Sequence, residues 1–249
     1  MKVFVIIPAA GLGTRMTANG SGRVPAVSKQ FTQLGGTPIL IHTLRQFAAI
    51  TEVSEIWVAL RKNEIAGFQT QMETEARDVH QKPVHLVEGG EHRQESVANA
   101  LKAVHATADD IVLVHDAVRP LVTREIIHEV IEGARKFGAA IAGLPAVDTV
   151  KQVERTADGA LITATLPRER IVLAQTPQGF RFAVLKKAFD DAAADGFIGT
   201  DEASLVERAG QQVAVVMGSP RNIKITNPGD MELAEFYFKT SVSVNTDAK

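Results

Sequence analysis

Five apolar residues in unbroken succession, Val3 to Ile7, end at Pro8 and open directly into Ala9-Ala10-Gly11-Leu12-Gly13-Thr14-Arg15-Met16. A strand that is apolar at every position, rather than at alternate ones, has to be covered on both faces, which points to a parallel sheet between two layers of helices. Apolar-rich runs at 55–60, 84–87, 111–115, 139–144, 213–217 and 223–226 read as further strands. Between several of them, residues 38–50, 93–105, 124–138 and 182–196 space their apolar side chains by three and four, and two of these segments end at a glycine. Strand alternating with helix predicts an α/β fold with a mostly parallel sheet and helices on both faces, whose ligands bind at the carboxyl ends of the strands.

One region breaks the alternation. Residues 149–174 carry short alternating segments and an Asp158-Gly159 turn signal, which predicts a projecting β-hairpin arm. An arm of this kind buries little of its own surface, so packing against a second subunit is expected. The remaining chain reads as one domain over 1–240, with a frayed polar tail at 241–249. A 45% hydrophobic content in 249 residues supports a full-sized core. Lys and Arg total 27 against 29 Asp and Glu, so no global positive field draws the protein to nucleic acid or to an anionic membrane. Any anion site must be local. Zero cysteines exclude disulfides and thiolate metal ligands. The chain starts straight into a strand and holds no long apolar run, so a cytoplasmic protein is expected.

The glycine turn fits some chemistries better than others. Met16 stands where a G-x-G-x-x-G dinucleotide fingerprint needs its last glycine, and the segment lacks the Gly-Lys-hydroxyl order of a P-loop. What is left is a turn of small residues, Ala9, Ala10, Gly11 and Gly13, that admits a ligand close to the backbone, with Arg15 beyond it as a clamp for a triphosphate. A plain tight turn is the competing reading. Lys29 supplies another cation, or is a solvated surface lysine. Asp116 and Arg119, at the end of an apolar run, read as a carboxylate able to hold Mg²⁺ or as a local ion pair. Glu91 and Ser96 in EGGEHRQES read as contacts to a base edge or as helix capping. Thr200 and Asp201 stand at a helix start, and Asn227-Pro228 reads as a cap. Lys224, in an apolar segment, either faces water or meets an anion. Arg168 on the arm reads as an exposed charge.

Taken in order, PAAGLGTRM, SKQF, GTPIL, EGGEHRQESV, VHDAVRP, DTVK, TPQGF, TDEAS and NIKIT resemble, over residues 3 to about 237, the family of 2-C-methyl-D-erythritol 4-phosphate cytidylyltransferases. The resemblance implies a Rossmann-like α/β domain, a homodimer joined through the β-arm, and the joining of CTP to a sugar-alcohol phosphate with Mg²⁺ and release of pyrophosphate. It implies a cytidine site lined by Ala9, Ala10, Gly11, Gly13, Gly90, Glu91, Ser96 and Ala117. It implies catalytic cations at Arg15, Lys29, Arg168 and Lys224, and a sugar-phosphate or metal site at Asp116, Arg119, Thr149, Arg168, Thr200 and Lys224. Thr149 and Arg168 are implied to reach in from the partner's arm. Glu91 stands where the family has aspartate. Ser28 stands where the family has a proline, after a longer link that includes Arg23. A sister enzyme acting on ribitol or ribulose 5-phosphate remains the nearest alternative, ahead of a nucleotide-sensing scaffold and of an NAD-dependent oxidoreductase.

Overall fold

The computed structural model describes residues 1–11 and 28–246. Gly13, Arg15, Met16 and Arg23 lie outside the described residues. The first half of the chain gives β1 (Val3–Pro8), the two-residue strands β2 (Gln33–Leu34) and β3 (Thr37–Pro38), α1 (Ile39–Ala48), β4 (Val53–Leu60), α2 (Lys62–Glu75), β5 (Val84–Glu88), α3 (Arg93–Ala103) and β6 (Ile111–Val114). The second half gives α4 (Arg124–Phe137), β7 (Ala139–Pro145), β8 (Val150–Thr156), β9 (Gly159–Leu166), β10 (Val172–Arg181), α5 (Phe182–Asp195), α6 (Glu202–Arg208), β11 (Ala214–Met217) and α7 (Pro228–Thr246).

The central sheet has the order β11-β7-β10-β6-β1-β4-β5. The strand β10 runs antiparallel to both its neighbours, and the other pairings are parallel. β1 shows why the apolar run is unbroken. Val3, Val5 and Ile7 pack into the core beneath α1, α2 and α4, while Phe4 and Ile6 pack into the core beneath α3, α5 and α6. Each alternate side chain is thus buried on its own face, as a sheet covered on both sides requires. The glycines that close two helices do so in left-handed geometry, Gly138 at φ 87° after α4 and Gly196 at φ 66° after α5, where a Cβ would be strained.

Three expectations change. Residues 223–226 are not a strand of the sheet. They run beside the loop after β6, where the Ile225 amide donates to the Val118 carbonyl at 2.9 Å and Ile225 is buried with Leu34, Ile39 and Ala234. The arm ends earlier than residue 174. Its hairpin is β8 paired with β9, and the chain re-enters the central sheet at Val172, opposite Pro145. The tail expected to fray at 241–249 is helical as far as Thr246, because α7 continues through it. Among the described residues, no helix is long and apolar enough to cross a membrane.

Candidate active site

The site forms where the carboxyl ends of β1, β4, β5 and β6 converge. After β1, the Ala9 carbonyl accepts from Gln30 Nε2 at 2.6 Å and the Ala10 carbonyl accepts from Arg61 Nε at 3.0 Å, so side chains from two other segments fix this turn. After β5, the Gly89 amide donates to the Leu60 carbonyl at 2.7 Å, and the Gly90 amide donates to Ser96 Oγ at 3.1 Å. A Cβ on Gly89 would stand 2.5 Å from Ala10 Cβ and 2.9 Å from Ser96 Oγ. Only glycine lets these two turns approach one another. Ser96 is 2% exposed, and the turn is closed further by the His92 amide donating to Glu95 Oε2 at 3.1 Å. The capping reading of this segment is therefore correct for Glu95, while Ser96 closes the glycine turn.

After β6 the chain carries His115, Asp116 and Arg119, all buried. The carbonyl of Arg119 can only accept, so His115 Nε2, 3.1 Å away, carries the ring proton. His115 Nδ1 then accepts from the Thr176 hydroxyl at 3.1 Å, and that hydroxyl oxygen accepts from the Asp116 amide at 3.1 Å. This ladder fixes the backbone from which Asp116 projects. Burial lowers the His115 pKa to about 4, which keeps the ring neutral in this role.

Asp116 is the centre of a charge cluster. Its Oδ1 accepts from Arg93 Nε at 3.2 Å, and its Oδ2 lies 3.2 Å from Arg119 Nε and 3.0 Å from Lys224 Nζ. Burial alone would raise its pKa, but the charges of Arg93, Lys224 and Arg119 outweigh that and hold the carboxyl well below the usual carboxylate range. Arg119 is anchored again by donating from Nη1 to the Asn222 carbonyl at 2.6 Å. Arg93 Nη1 donates to Glu202 Oε1 at 2.7 Å and Oε2 at 2.9 Å. Burial pushes the Glu202 carboxyl up while Arg93 pulls it back, and contacts this short are those of an ionised pair. Three cations thus face two carboxylates. The balance is positive before Lys29 is added.

Two adjoining cavities share this cluster. The first, of about 180 Å³, is lined by Ala9, Ala10, Gly11, Lys29, Gly90, Glu91, Ser96 and Ala117, and it reaches Arg93, Asp116 and Lys224. The second, of about 210 Å³, starts from Arg93, Asp116 and Lys224 and continues past Arg119, Thr176 and Gln178 to Thr200 and Asp201. Lys224 meets an anion, as one of its two readings required, although from an extended loop and not from a strand. Asp201 caps α6 by accepting from the Ser204 amide at 2.9 Å, and Asn227 Oδ1 accepts from the Asp230 amide at 3.0 Å below α7. Thr149 and Arg168 lie at the exposed root of the arm, outside both cavities of their own chain, and Arg168 Nη1 donates to the Val147 carbonyl at 2.7 Å.

Sequence reasoning passed over Arg93, Glu202, Gly89, Gln30 and the His115–Thr176 ladder. One signal was available for Arg93. It is the first residue of α3, and a cation at a helix N-terminus opposes the helix dipole unless something else holds it there.

A cleft at the carboxyl ends of parallel strands, with close-packed glycine turns on one side and a cationic cluster at its floor, is the ligand site of an α/β protein suited to a phosphorylated ligand, and its relatives make its class that of a nucleotidyltransferase. The family model of 2-C-methyl-D-erythritol 4-phosphate cytidylyltransferase (IspD) matches residues 3–240, and the chain belongs to that family. It is 61% identical over 96% of its length to the 2-C-methyl-D-erythritol 4-phosphate cytidylyltransferase of Acidobacterium capsulatum, 98% of which is covered. It is 49% identical over 99% of its length to the enzyme of that name from Solibacter usitatus, also covered to 99%. Among solved structures, the crystal structure of the enzyme of that name from Francisella tularensis superposes with a TM-score of 0.77 at 36% identity, covering 95% of this chain and 99% of the other.

Proposed function

We propose that this chain transfers the cytidylyl group of CTP to 2-C-methyl-D-erythritol 4-phosphate, giving the cytidine diphosphate of methylerythritol and pyrophosphate. The observation that carries this reading is the Asp116 cluster shared by two adjoining cavities, one walled by glycine turns and the other by Thr200 and Arg119. The family match over residues 3–240 and the relatives' names favour methylerythritol phosphate over a pentitol phosphate.

In the reaction, an oxygen of the acceptor's phosphate attacks the α-phosphorus of CTP, a new P–O bond forms, and the bond to the β-phosphate oxygen breaks as pyrophosphate leaves. A phosphate monoester has a second pKa of about 6, so near neutral pH the nucleophile is mostly the dianion already and no base is needed. The obstacle is bringing two polyanions into line, and positioned cations remove it. Lys29 and Lys224 take the triphosphate, together with Arg15, which lies outside the described residues. Gly90, Glu91 and Ser96, with Ala9, Ala10, Gly11, Gly13 and Ala117, hold the nucleoside. Arg119, Thr200 and Lys224 hold the acceptor phosphate, and Thr149 and Arg168 complete that pocket from a second subunit. The support for a dimer is the arm itself, whose Val153, Leu161 and Ile162 are exposed, as are Val172 and Leu173 on β10. Charged substrates such as CTP and a sugar phosphate do not cross membranes unaided, which supports a cytoplasmic location.

Asp116 is the residue that the sequence pointed to as a ligand for Mg²⁺. Both its oxygens are committed to Arg93, Arg119 and Lys224, and among the described residues no group of three or more His, Asp or Glu faces a common point. These residues do not make a divalent-cation site by themselves. Mg²⁺ is expected to arrive on the nucleotide, bound by the triphosphate's own oxygens.

The test is a coupled pyrophosphate assay with CTP and a panel of acceptors. Release with methylerythritol phosphate and little with ribitol or ribulose 5-phosphate is the expected result. Equal release with the pentitol phosphates, or none with any acceptor, refutes the reading.

A further inference from the structure

Arg93 and Glu202 join the two sides of the site without an evident duty of their own. Glu202 is the first residue of α6, directly after Thr200 and Asp201, and is 1% exposed. Arg93 is the first residue of α3, directly after the glycine turn at 88–92. The two are 109 positions apart, and Asp116 lies beside Arg93 at the end of β6. A buried carboxylate is costly unless it is paired, and a cation on the first turn of a helix works against the helix dipole. Helix stability alone would not put Arg93 where it is, and Glu202, although its charge suits the first turn of α6, is buried where only a paired carboxylate is tolerated. Arg93 gives both carboxylate oxygens of Glu202 one N–H and spends its Nε on Asp116 Oδ1, leaving Oδ2 to Arg119 and Lys224. Glu202 lines neither cavity.

We propose that the Arg93–Glu202 pair is a positioning strut that sets the separation of the two substrate cavities, by holding Asp116, and through it Arg119 and Lys224, in one arrangement. The inference rests on the transfer reaction proposed above. Glu202 anchors Arg93 from behind, Arg93 fixes one Asp116 oxygen, and the other oxygen aligns the two cations that meet the phosphates. Removing the Glu202 charge releases Arg93, which then moves toward the phosphate site or draws Asp116 with it. In either case the cations stay present but stand in the wrong places. Turnover suffers more than nucleotide binding, because misplacement of about 1 Å can cost on the order of a hundredfold in rate.

The decisive variant is Glu202→Gln, which keeps the shape and removes the charge of a residue that touches neither cavity. The expected result is a kcat lowered on the order of a hundredfold, with a much smaller rise in KM for CTP, since the backbone of the two turns is fixed by Gln30, Arg61 and Ser96 and not by Glu202. Its crystal structure should show Arg93 parted from the side chain at position 202, with Asp116, Arg119 and Lys224 displaced. Arg93→Lys should behave alike, because an ammonium cannot make the forked contact, and it carries the same readouts if Glu202→Gln does not fold. Glu202→Asp, which keeps the charge, should recover part of the lost kcat. A merely structural pair would lower stability and leave kcat per folded molecule unchanged. That outcome, or a Glu202→Gln structure in which Asp116, Arg119 and Lys224 have not moved, overturns the proposal. If the wild-type protein releases no pyrophosphate, the proposed reaction falls, and the crystal structure still decides the strut.

Discussion

Lys224 Nζ lies 3.0 Å from Asp116 Oδ2, so a residue near the end of the chain supplies a cation to a carboxylate at the end of a central strand. Ile225, next to it, is held in a small apolar cluster with Leu34, Ile39 and Ala234, and this anchoring is what carries Lys224 into the cleft. Lys224→Ala should lower kcat on the order of a hundredfold, in the range for loss of one preorganised donor to a developing charge. It should change stability by no more than about 1 kcal/mol, because Lys224 is about a third exposed. Asp116→Asn should be worse for the fold, since it leaves three cations facing one another in a buried place, at a cost of about 3 to 5 kcal/mol. Steady-state kinetics and urea denaturation on both variants check the contrast.

Gly89→Ala tests the approach of the two turns. The added methyl would stand 2.5 Å from Ala10 Cβ and 2.9 Å from Ser96 Oγ, so one turn must move away from the other. An overpacking cost of about 1 to 3 kcal/mol is expected, with a raised KM for CTP and a smaller change in KM for the acceptor. Equal effects on both substrates would mean that the turns do not line the nucleotide site.

How much of this was legible beforehand follows from the kind of signal each part gives. β1, α4 and α5 were readable because an unbroken apolar run and a three-to-four spacing ending in glycine are local patterns. β10 was not, although six of its residues, Gln175 to Phe180, are buried. Its sequence is polar, holds Pro177 and Gly179, and pairs irregularly between Ala174 and Gln178, so no strand pattern marks it. Its polar side chains serve the site, as Thr176 does under Asp116 and Gln178 does by donating to Asp201 Oδ2 at 2.7 Å. The segment 223–226 misled for the opposite reason, since alternating apolar residues also arise where a loop is pinned at Ile225 by a small cluster. At the site, Lys29, Asp116 and Lys224 were named from their blocks, but the Arg93–Glu202 pair joins residues 109 positions apart and has no local pattern to betray it.

Stability should fall on mild acidification. His115 is kept neutral by burial, with its pKa lowered from 6.5 to about 4. Between those values the unfolded chain binds a proton that the folded chain does not, so the contribution is complete above pH 6.5 and is lost progressively as pH falls toward 4, reaching about 3 kcal/mol. His42, lowered by burial, acts in the same direction, and Glu202, raised by burial, acts against them. His115→Gln should flatten the slope of unfolding free energy between about pH 7 and about pH 5, as followed by urea titration. An unchanged slope would mean that His115 is not the group responsible.

The arm predicts self-association. Val153, Leu161 and Ile162 leave apolar surface uncovered on a two-stranded hairpin, and two strands alone are marginal in water. Sedimentation at micromolar concentration should find a dimer, and Leu161→Glu with Ile162→Lys should shift it toward monomer while lowering kcat through loss of Thr149 and Arg168 from the neighbouring site. A fully active monomer would contradict this.

The most direct measurement is a crystal structure of the protein with CTP. The account predicts the triphosphate between the Ala9–Gly11 turn, Lys29 and Lys224, with the cytosine against Gly90 and Ser96 and the α-phosphorus open toward Arg119 and Thr200. A triphosphate bound elsewhere, with Lys29 and Lys224 making no phosphate contact, would contradict it.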